Sequence, residues 1–455
     1  MSTDSKYQLL ANELEEAIHS GRLAIGSRLA SVRKVMEQRS LSLATVVAAY
    51  RTLEERGLIE ARAKSGYFVI GKSAGAKSSA IKSPGASVAT PSTSPVNANC
   101  PDLELFPRQR LHRLTASVVR RHQYLPTTYA HGLGNTKLRG EIARRSADFG
   151  SFIRAEELIV TNGATEALSL ALRAVARPGD SIAVETPANP LFLALLAELH
   201  IEVVEIPALS AQGLSLAALE QALLDHPNLR ACLLVPNFHH PTGALMPVAT
   251  KRALLALAER AKLALIEDDV YGDLQHEGPR PPPLKAFDSN GSVIYVNSYS
   301  KTIAPGMQVG WIAAGRWHAQ IEASKQSVAV ATAELPQLVL YEFLNRGSHV
   351  PHLRRMRQLL RESTQRVHDG LARALPKECQ WVVPAGGYFL WLELPTGIST
   401  AQLLEQPALA PLGISSGRHC SVRGDFDHCL RINTSLLDQS AIAPFAVALE
   451  RALAG

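Results

Sequence analysis

The chain has 455 residues, 46% of them hydrophobic and 19% charged, with a mean hydropathy of +0.01, the composition of a globular protein too long for one core. No apolar run reaches the roughly 20 residues of a membrane helix, and the opening MSTDSKYQLL lacks the basic-then-apolar pattern of an export signal. Residues 1–95 hold 13 Lys and Arg against 8 Asp and Glu, a net of +5, whereas the remainder holds 34 against 33; a polyanion partner is therefore expected for the N-terminal part alone.

From the N-terminus, Tyr7, Leu10, Leu14 and Ile18 recur at spacings of three and four, which predicts an amphipathic helix ended by SGRLAIG. Ser31 can cap a second short helix carrying Val32, Val35 and Met36. Ser42 can cap a third, LATVVAAYRTLEERG, with Val46, Tyr50 and Leu53 inward and Gly57 at its end. LIEAR and GYFVI read as strands joined by AKSG. Three helices and a hairpin predict a winged helix-turn-helix, with the third helix entering the major groove and the hairpin as wing.

The stretch from Gly21 to Val69 resembles the DNA-binding domain of GntR-family transcription regulators. Gly26, the segment Leu29-Ala30-Ser31-Val32-Arg33, Ser42 with Thr45, Gly57 and Gly66 carry the resemblance. It implies DNA contact for Ser31, Arg33, Ser42, Thr45, Arg62, Lys64 and the wing residue Gly66. Basic and hydroxyl groups beside a helix N-terminus suit phosphate. Polar residues common after the capping serine are here Leu43 and Ala44, so either these touch thymine methyls or base readout is sparse. Arg39, Arg51 and Arg56 read as surface residues, and a winged helix used only for protein contact is the alternative.

Residues 71–95, GKSAGAKSSAIKSPGASVATPSTSP, contain three lysines, no acid and a single Ile. Such a segment cannot offset its ordering entropy and predicts a flexible linker, with a reach of roughly 25–30 Å. The expected division is a DNA-binding domain over 1–70, a linker over 71–100 and a large domain over 101–455.

Beyond the linker, ELIVTN, SIAVET, VVEIP, ACLLVP, LALIEDD and VIYVNS are short apolar runs, separated mostly by helical stretches such as TEALSLALRAVA and KRALLALAERA. Alternation of this kind predicts an α/β fold with a mostly parallel sheet. Ligands bind at the strand ends of such sheets, and three strand-end segments hold reactive groups. VNSYSKTIAPGMQVGW places Lys301 after Ser298 and Ser300; IEDDVYGD carries Asp268 and Tyr271; TNGATEAL offers Gly163, Ala164 and Thr165 at a strand-to-helix turn suited to phosphate. VPNFHHPTG, GGYFLWLELP and CLRINTS complete the set. Cys100, Cys232, Cys379, Cys420 and Cys429 are scattered without a CxxC pair, which predicts no disulfide or metal framework and fits a reducing cytoplasm.

The order, spacing and chemistry of these segments resemble the fold-type I aminotransferases, which use pyridoxal 5'-phosphate (PLP), from about residue 101 to the end. The resemblance implies a Schiff base on Lys301, Asp268 against the pyridine nitrogen and Tyr271 on the 3-oxygen. Gly163, Ala164, Thr165, Ser298 and Ser300 would surround the phosphate, and Arg431 would hold a carboxylate. It also implies a small C-terminal α+β subdomain. Three positions depart from the pattern: Asn189 where an aromatic residue stacks on the ring, His240 where Asn bonds the 3-oxygen, and Gln308 where Arg clamps the phosphate. His240 can donate to the 3-oxygen or lie over the ring, although His239 could equally point inward.

Together the two halves resemble the MocR-type regulators. This implies a bacterial, cytoplasmic homodimer, nucleoid-associated when bound to a double-stranded DNA operator and outside the membrane, which senses PLP or a small amine or amino-acid effector. The alternatives are an active aminotransferase with an appended DNA-binding head, and a PLP-independent regulator whose large domain serves dimerisation alone.

Overall fold

Helices α1 (Lys6–His19), α2 (Val32–Arg39) and α3 (Leu43–Glu55) and the antiparallel hairpin β1 (Ile59–Arg62) and β2 (Gly66–Val69) form the N-terminal unit of the computed structural model. The structure describes residues 6–20, 22–24, 26–55, 58–62, 66–69, 99–209, 213–405, 409, 413–437 and 439–454. Gly57, Lys64 and residues 71–98 of the expected linker lie outside them. The chain divides into two compact units between Thr90 and Pro91.

In the first unit the apolar positions face one core: Leu10, Val35, Val46, Tyr50, Leu53, Ile59 and Val69 are buried together. Ser31 Oγ caps α2 by accepting from the Lys34 amide at 3.3 Å, and Ser42 Oγ caps α3 through the Thr45 amide at 3.2 Å. The Tyr50 hydroxyl donates to the Ala30 carbonyl at 2.7 Å, tying α3 to the approach to α2.

The second unit opens with α4 (Arg108–Arg121) and α5 (Thr136–Ser146), then β3 (Leu158–Asn162), α6 (Gly163–Val175), β4 (Ser181–Thr186), α7 (Pro190–Glu198) and β5 (Glu202–Leu209). After β6 (Gly213–Leu214) come α8 (Leu216–Asp225), β7 (Leu229–Leu234), α9 (Val248–Ala261), β8 (Ala264–Asp268), β9 (Val293–Ser298) and β10 (Val309–Ala313). Helices α10 (His318–Ala329), α11 (Glu334–Asn345) and α12 (His349–Ala374) lead to the last part. There β11 (Gln380–Trp381), β12 (Phe389–Glu393), α13 (Thr400–Leu403), β13 (Ile414–Ser416), β14 (Cys429–Asn433) and α14 (Gln439–Ala454) follow.

The main sheet has the order β3-β10-β9-β8-β7-β4-β5-β6. The pairs from β9 through β5 are parallel, while β10 runs against both β3 and β9. Nearly every residue of β4, β8 and β9 is buried, which is why these runs read as continuously apolar rather than alternating. The ends of β3, β8 and β9 therefore fall on one edge, where Gly163 follows β3, Asp268 closes β8 and Lys301 follows β9.

Apart from the two-residue β6, strand β10 is the described element of the main sheet that apolar runs leave unmarked, because it lies within the Gly-rich stretch after Lys301. Its Gly310 explains that composition. A β-carbon there would stand 2.5 Å from Gly163 C and 2.8 Å from the Ala164 amide nitrogen. The close approach presses the start of α6 onto β10. A separate antiparallel sheet, β11-β12-β14-β13, packs with α12 and α14 around Val367, Leu371, Leu390, Leu430 and Phe445 and forms the small α+β part.

Candidate functional site

Lys301 sits in the turn after β9, half-buried, and its Nζ donates to the Asn99 carbonyl at 2.7 Å, with Cys100 Sγ 3.7 Å away. The Tyr388 hydroxyl donates to the same carbonyl at 3.0 Å, and Asn433 Nδ2 donates to the Cys100 carbonyl at 2.8 Å. Asp102 extends the attachment, its amide donating to Ser435 Oγ at 3.0 Å. Asn99 and Cys100, which the expected division places in the linker, are thus held in the large unit by side-chain donors on their backbone carbonyls. A segment fixed through its main chain carries no apolar signature.

Asp268 closes β8 and is 4% exposed; its Oδ1 accepts from the Val270 amide at 3.3 Å. Burial pushes its carboxyl up to about 7, offset in part by that amide and by the Lys301 ammonium. A buried acid with little local compensation is poised to ionise when a cation arrives. Tyr271, also buried, packs edge-on against Tyr388 with centroids 5.7 Å apart, and burial raises its hydroxyl well above the ordinary range.

His240 settles which of the two adjacent histidines faces the reactive groups. His239 is turned away, with Nδ1 2.9 Å from Thr242 Oγ1 and Nε2 3.6 Å from Glu185 Oε2. Burial lowers His239 to about 3 and raises Glu185 to about 8, so the two meet as neutral groups rather than as an ion pair. His240 instead lies 4.4 Å from the Phe389 ring and 6.1 Å from Tyr271, and its Nε2 is 2.7 Å from Arg431 Nη1. Burial, reinforced by the Arg431 charge, pushes His240 far below its ordinary value. The ring is therefore neutral, Nε2 accepts from the guanidinium, and Nδ1 carries the proton.

Arg431, on β14, is fixed by this bond and by a second from Nη2 to Ser415 Oγ at 2.8 Å. Ser415 is its partner across the β13–β14 ladder. Two donors of the pair have no protein acceptor: His240 Nδ1 and Arg431 Nε are both buried and unbonded. Orphaned buried donors of this kind mark a place where an acceptor from outside the protein would be welcome.

The turn from β3 to α6 supplies an anion cradle. Gly163 has φ +76°, and the first amides of α6 lie free of helical partners, as at any helix start. Ala164 is half-buried and the Thr165 side chain is exposed. Ser298 Oγ accepts from the Ser300 amide at 3.4 Å, which links the two serines near the end of β9. Gln308, at φ +49°, donates from Nε2 to the Pro305 carbonyl at 3.0 Å, and its Oε1 would lie 3.1 Å from a β-carbon on Gly163. It therefore stands at the cradle without a positive charge. Asn189 acts as the cap of α7, its Oδ1 accepting from the Leu191 amide at 3.1 Å.

Behind Asp268, the next residue faces the other way into a buried network. Asp269 Oδ1 accepts from Asn237 Nδ2 at 2.8 Å, and Oδ2 accepts from the Tyr295 hydroxyl at 2.9 Å and Arg280 Nη2 at 2.5 Å. Lys251 Nζ completes it by donating to Asn237 Oδ1 at 2.6 Å. The paired aspartates thus divide their work: Asp268 faces the site, and Asp269 anchors the strand end. The doubled acid is visible in sequence, where the resemblance gives the site role to Asp268; the buried network around Asp269 is what sequence reasoning missed.

In the N-terminal unit, the Arg33 side chain is 91% exposed, with Nε 3.8 Å from Glu37 Oε1 on the same helix. Ser42 Oγ and Thr45 Oγ1 are 2.8 Å apart at the start of α3. Gly66 opens β2 at φ +95°, directly over Arg28, whose Nε would be 3.2 Å from a β-carbon there. Arg28, which sequence reasoning passed over, therefore supports the wing from below. Arg62 closes β1, and Lys64 lies outside the described residues. Arg39 makes a two-bond pair with Glu13, at 2.6 and 3.2 Å.

Among the described residues no helix is long and apolar enough to cross a membrane, and no His, Cys, Asp and Glu group is arranged to hold a metal. Residues 109–449 match the family described as aminotransferase class I and II, and residues 6–69 match the bacterial regulatory proteins of the gntR family. The HTH-type transcriptional regulators YjiR and YdcR of Escherichia coli are 34% and 35% identical to the chain. The YjiR match covers 95% of both chains, and the YdcR match 94% of this chain and 95% of the relative.

Among solved structures, the α-aminoadipate aminotransferase LysN of Thermus thermophilus, complexed with N-(5'-phosphopyridoxyl)-L-leucine, aligns with a TM-score of 0.72 at 28% identity. That alignment covers 78% of this chain and 91% of LysN. The chain belongs to the class I and II aminotransferase family, joined to a GntR-family helix-turn-helix unit as in the MocR-type transcription regulators.

Proposed function

We propose that the protein is a PLP-dependent, sequence-specific DNA-binding transcription regulator whose large unit senses PLP, an amino compound, or both through Lys301. The observation that carries this reading is the grouping of a half-buried lysine amine, whose charge bears on both Asp268 and His240, with a buried acid held near 7 and two orphaned donors on the bonded pair His240 and Arg431. These residues fit the cofactor. When bound, PLP supplies an aldehyde for an amine and an electron-withdrawing ring.

Lys301 would provide the covalent attachment. Asp268 would hold a proton on the ring nitrogen, and Tyr271 with His240 Nδ1 would donate to the 3-oxygen. The α6 amides, Thr165, Ser298 and Ser300 would receive the phosphate, with Gln308 beside them and Asn189 near the ring. Arg431 would receive the carboxylate of an amino-acid effector. Were an effector amine to take the place of Lys301, that lysine would be free to bond elsewhere. Transmission requires that the effector bind the DNA-competent and DNA-incompetent states unequally.

The reading takes residues 1–70 as the DNA-binding part, with Ser31, Arg33, Ser42, Thr45, Arg62, Lys64 and Gly66 at the DNA. It takes residues 101–455, preceded by the anchored Asn99 and Cys100, as the sensor. It also carries a cytoplasmic homodimer presenting two heads to two half-sites, associated with the nucleoid when bound to DNA. The test is a spectrum of the purified protein titrated with PLP and then with amines, followed by mobility shift on its own upstream DNA. A visible absorbance band lost in Lys301→Ala, and DNA binding that changes with PLP or amine, are expected. A colourless protein that takes up no PLP would refute the sensor. Steady conversion of amino acid to keto acid without DNA binding would favour an aminotransferase, the activity named for several relatives of this fold.

A further inference from the structure

The outer face of α3 is apolar where a DNA-reading helix ordinarily carries donors and acceptors. Leu43 is 58% exposed and Val47 43% exposed, four residues apart and so on one side of the helix, with exposed Ala44 between them. The opposite face, Val46, Tyr50 and Leu53, is fully used by the core. The hydroxyls at the start of the helix are engaged with each other and with the backbone: Ser42 Oγ caps the Thr45 amide and lies 2.8 Å from Thr45 Oγ1. No charged residue occurs in the helix before Arg51.

We infer that Leu43 and Val47 specify bases by apolar contact with the 5-methyl groups of thymine in the major groove. This deepens the DNA-binding reading and rests on it. The major groove offers one apolar feature among its base edges, the thymine methyl, and alkyl side chains are its complement. The charge favours nucleic acid over a protein partner, because +5 of the chain's +6 lies in residues 1–95, +2 in residues 1–70 and +3 in the three lysines that follow. The division of labour follows. Basic and hydroxyl groups set position on the phosphates, whereas the methyl contacts choose A·T pairs at particular steps. Exposure of two branched side chains is unfavourable in the free protein and is relieved only on a surface that matches them.

The experiment uses the full-length protein and duplexes selected from a randomised pool at a fixed salt concentration. Each thymine of the selected site is replaced singly by deoxyuridine, which removes the methyl and leaves every hydrogen-bonding group. At the contacted positions binding weakens roughly fourfold, the equivalent of about 0.8 kcal/mol for one buried methyl group. The salt dependence is unchanged, since no phosphate contact is lost. Leu43→Ala and Val47→Ala weaken binding to the thymine duplex by a similar factor and each erases the thymine–uracil difference at one position. Both side chains are exposed, so these variants keep the fold.

Equal affinity for thymine and uracil duplexes at every position overturns the inference while leaving DNA binding intact. So does a change in self-association, rather than in DNA affinity, for Leu43→Ala and Val47→Ala. Failure to bind any duplex would remove the regulator reading itself, and the inference with it.

Discussion

Lys301 Nζ and the backbone carbonyl of Asn99 are joined by a 2.7 Å hydrogen bond between residues 202 positions apart in sequence. The lysine that would react with an aldehyde therefore also holds the chain where it enters the large unit. Covalent use of that nitrogen removes its ammonium from the carbonyl. Hydrogen exchange at the amides of Cys100 and residues 102–105 should then rise about tenfold on PLP addition, the loss of one charge-assisted bond. Lys301→Ala should show the raised exchange without PLP and no further response to it. Unchanged protection in both experiments would separate the lysine from the segment.

Gln308 stands beside the helix start without a charge, at a left-handed backbone position that the unbranched Gln and Arg strain alike. Gln308→Arg changes the head group and leaves that strain in place. It should tighten PLP about tenfold or more, the ~1.5–3 kcal/mol of a hydrogen bond to a charged group. Absorbance titration measures this, and an unaltered affinity would place the phosphate elsewhere.

The raised carboxyl of Asp268 makes a signed prediction about pH. Between its ordinary value of 3.8 and about 7 the folded state retains a proton that the unfolded chain has lost. The group's contribution to stability is therefore full below the ordinary value and is lost as pH rises through the folded one, by roughly 1.4 kcal/mol per unit of displacement. Asp268→Asn should thus gain stability relative to wild type at pH 8 and gain little at pH 4, in the absence of PLP. Thermal denaturation at the two pH values checks the sign. His239 and His240 act oppositely, since both are held neutral by burial, and they cancel in the difference between variant and wild type.

Arg431 is set in place by His240 and Ser415 through two different nitrogens. Lysine cannot reproduce that fork. Arg431→Lys should weaken amino-acid effectors by about tenfold or more, while amines without a carboxylate change by less than about twofold. Paired spectral titrations of an amino acid and its decarboxylated amine provide the comparison. Equal losses for both would assign Arg431 a purely structural role.

Much of this organisation was legible in sequence because it rests on periodicity and on end-of-strand chemistry. The buried faces of α1 to α3, the runs of β4, β8 and β9, and the caps Ser31 and Ser42 follow from residue type alone. The edge of the sheet that gathers Asp268, Lys301 and Gly163 follows from parallel strands having aligned ends. What sequence could not settle depends on rotation and on the main chain. His239 and His240 are chemically equivalent as letters, and only the packing of Phe389 and Thr242 separates them. Strand β10 was hidden because the glycine that lets it approach α6 also breaks the apolar run.

The acceptor that Lys301 meets belongs to the polypeptide itself, so it is indifferent to which amino acid occupies position 99. Natural variation can therefore rewrite that letter freely without loosening the grip. A survey of residue identity would pass over the place, whereas the spacing from it to Cys100 and Asp102, which are bonded to Asn433 and Ser435, is constrained. Insertions and deletions, rather than replacements, are the changes that would disarm it.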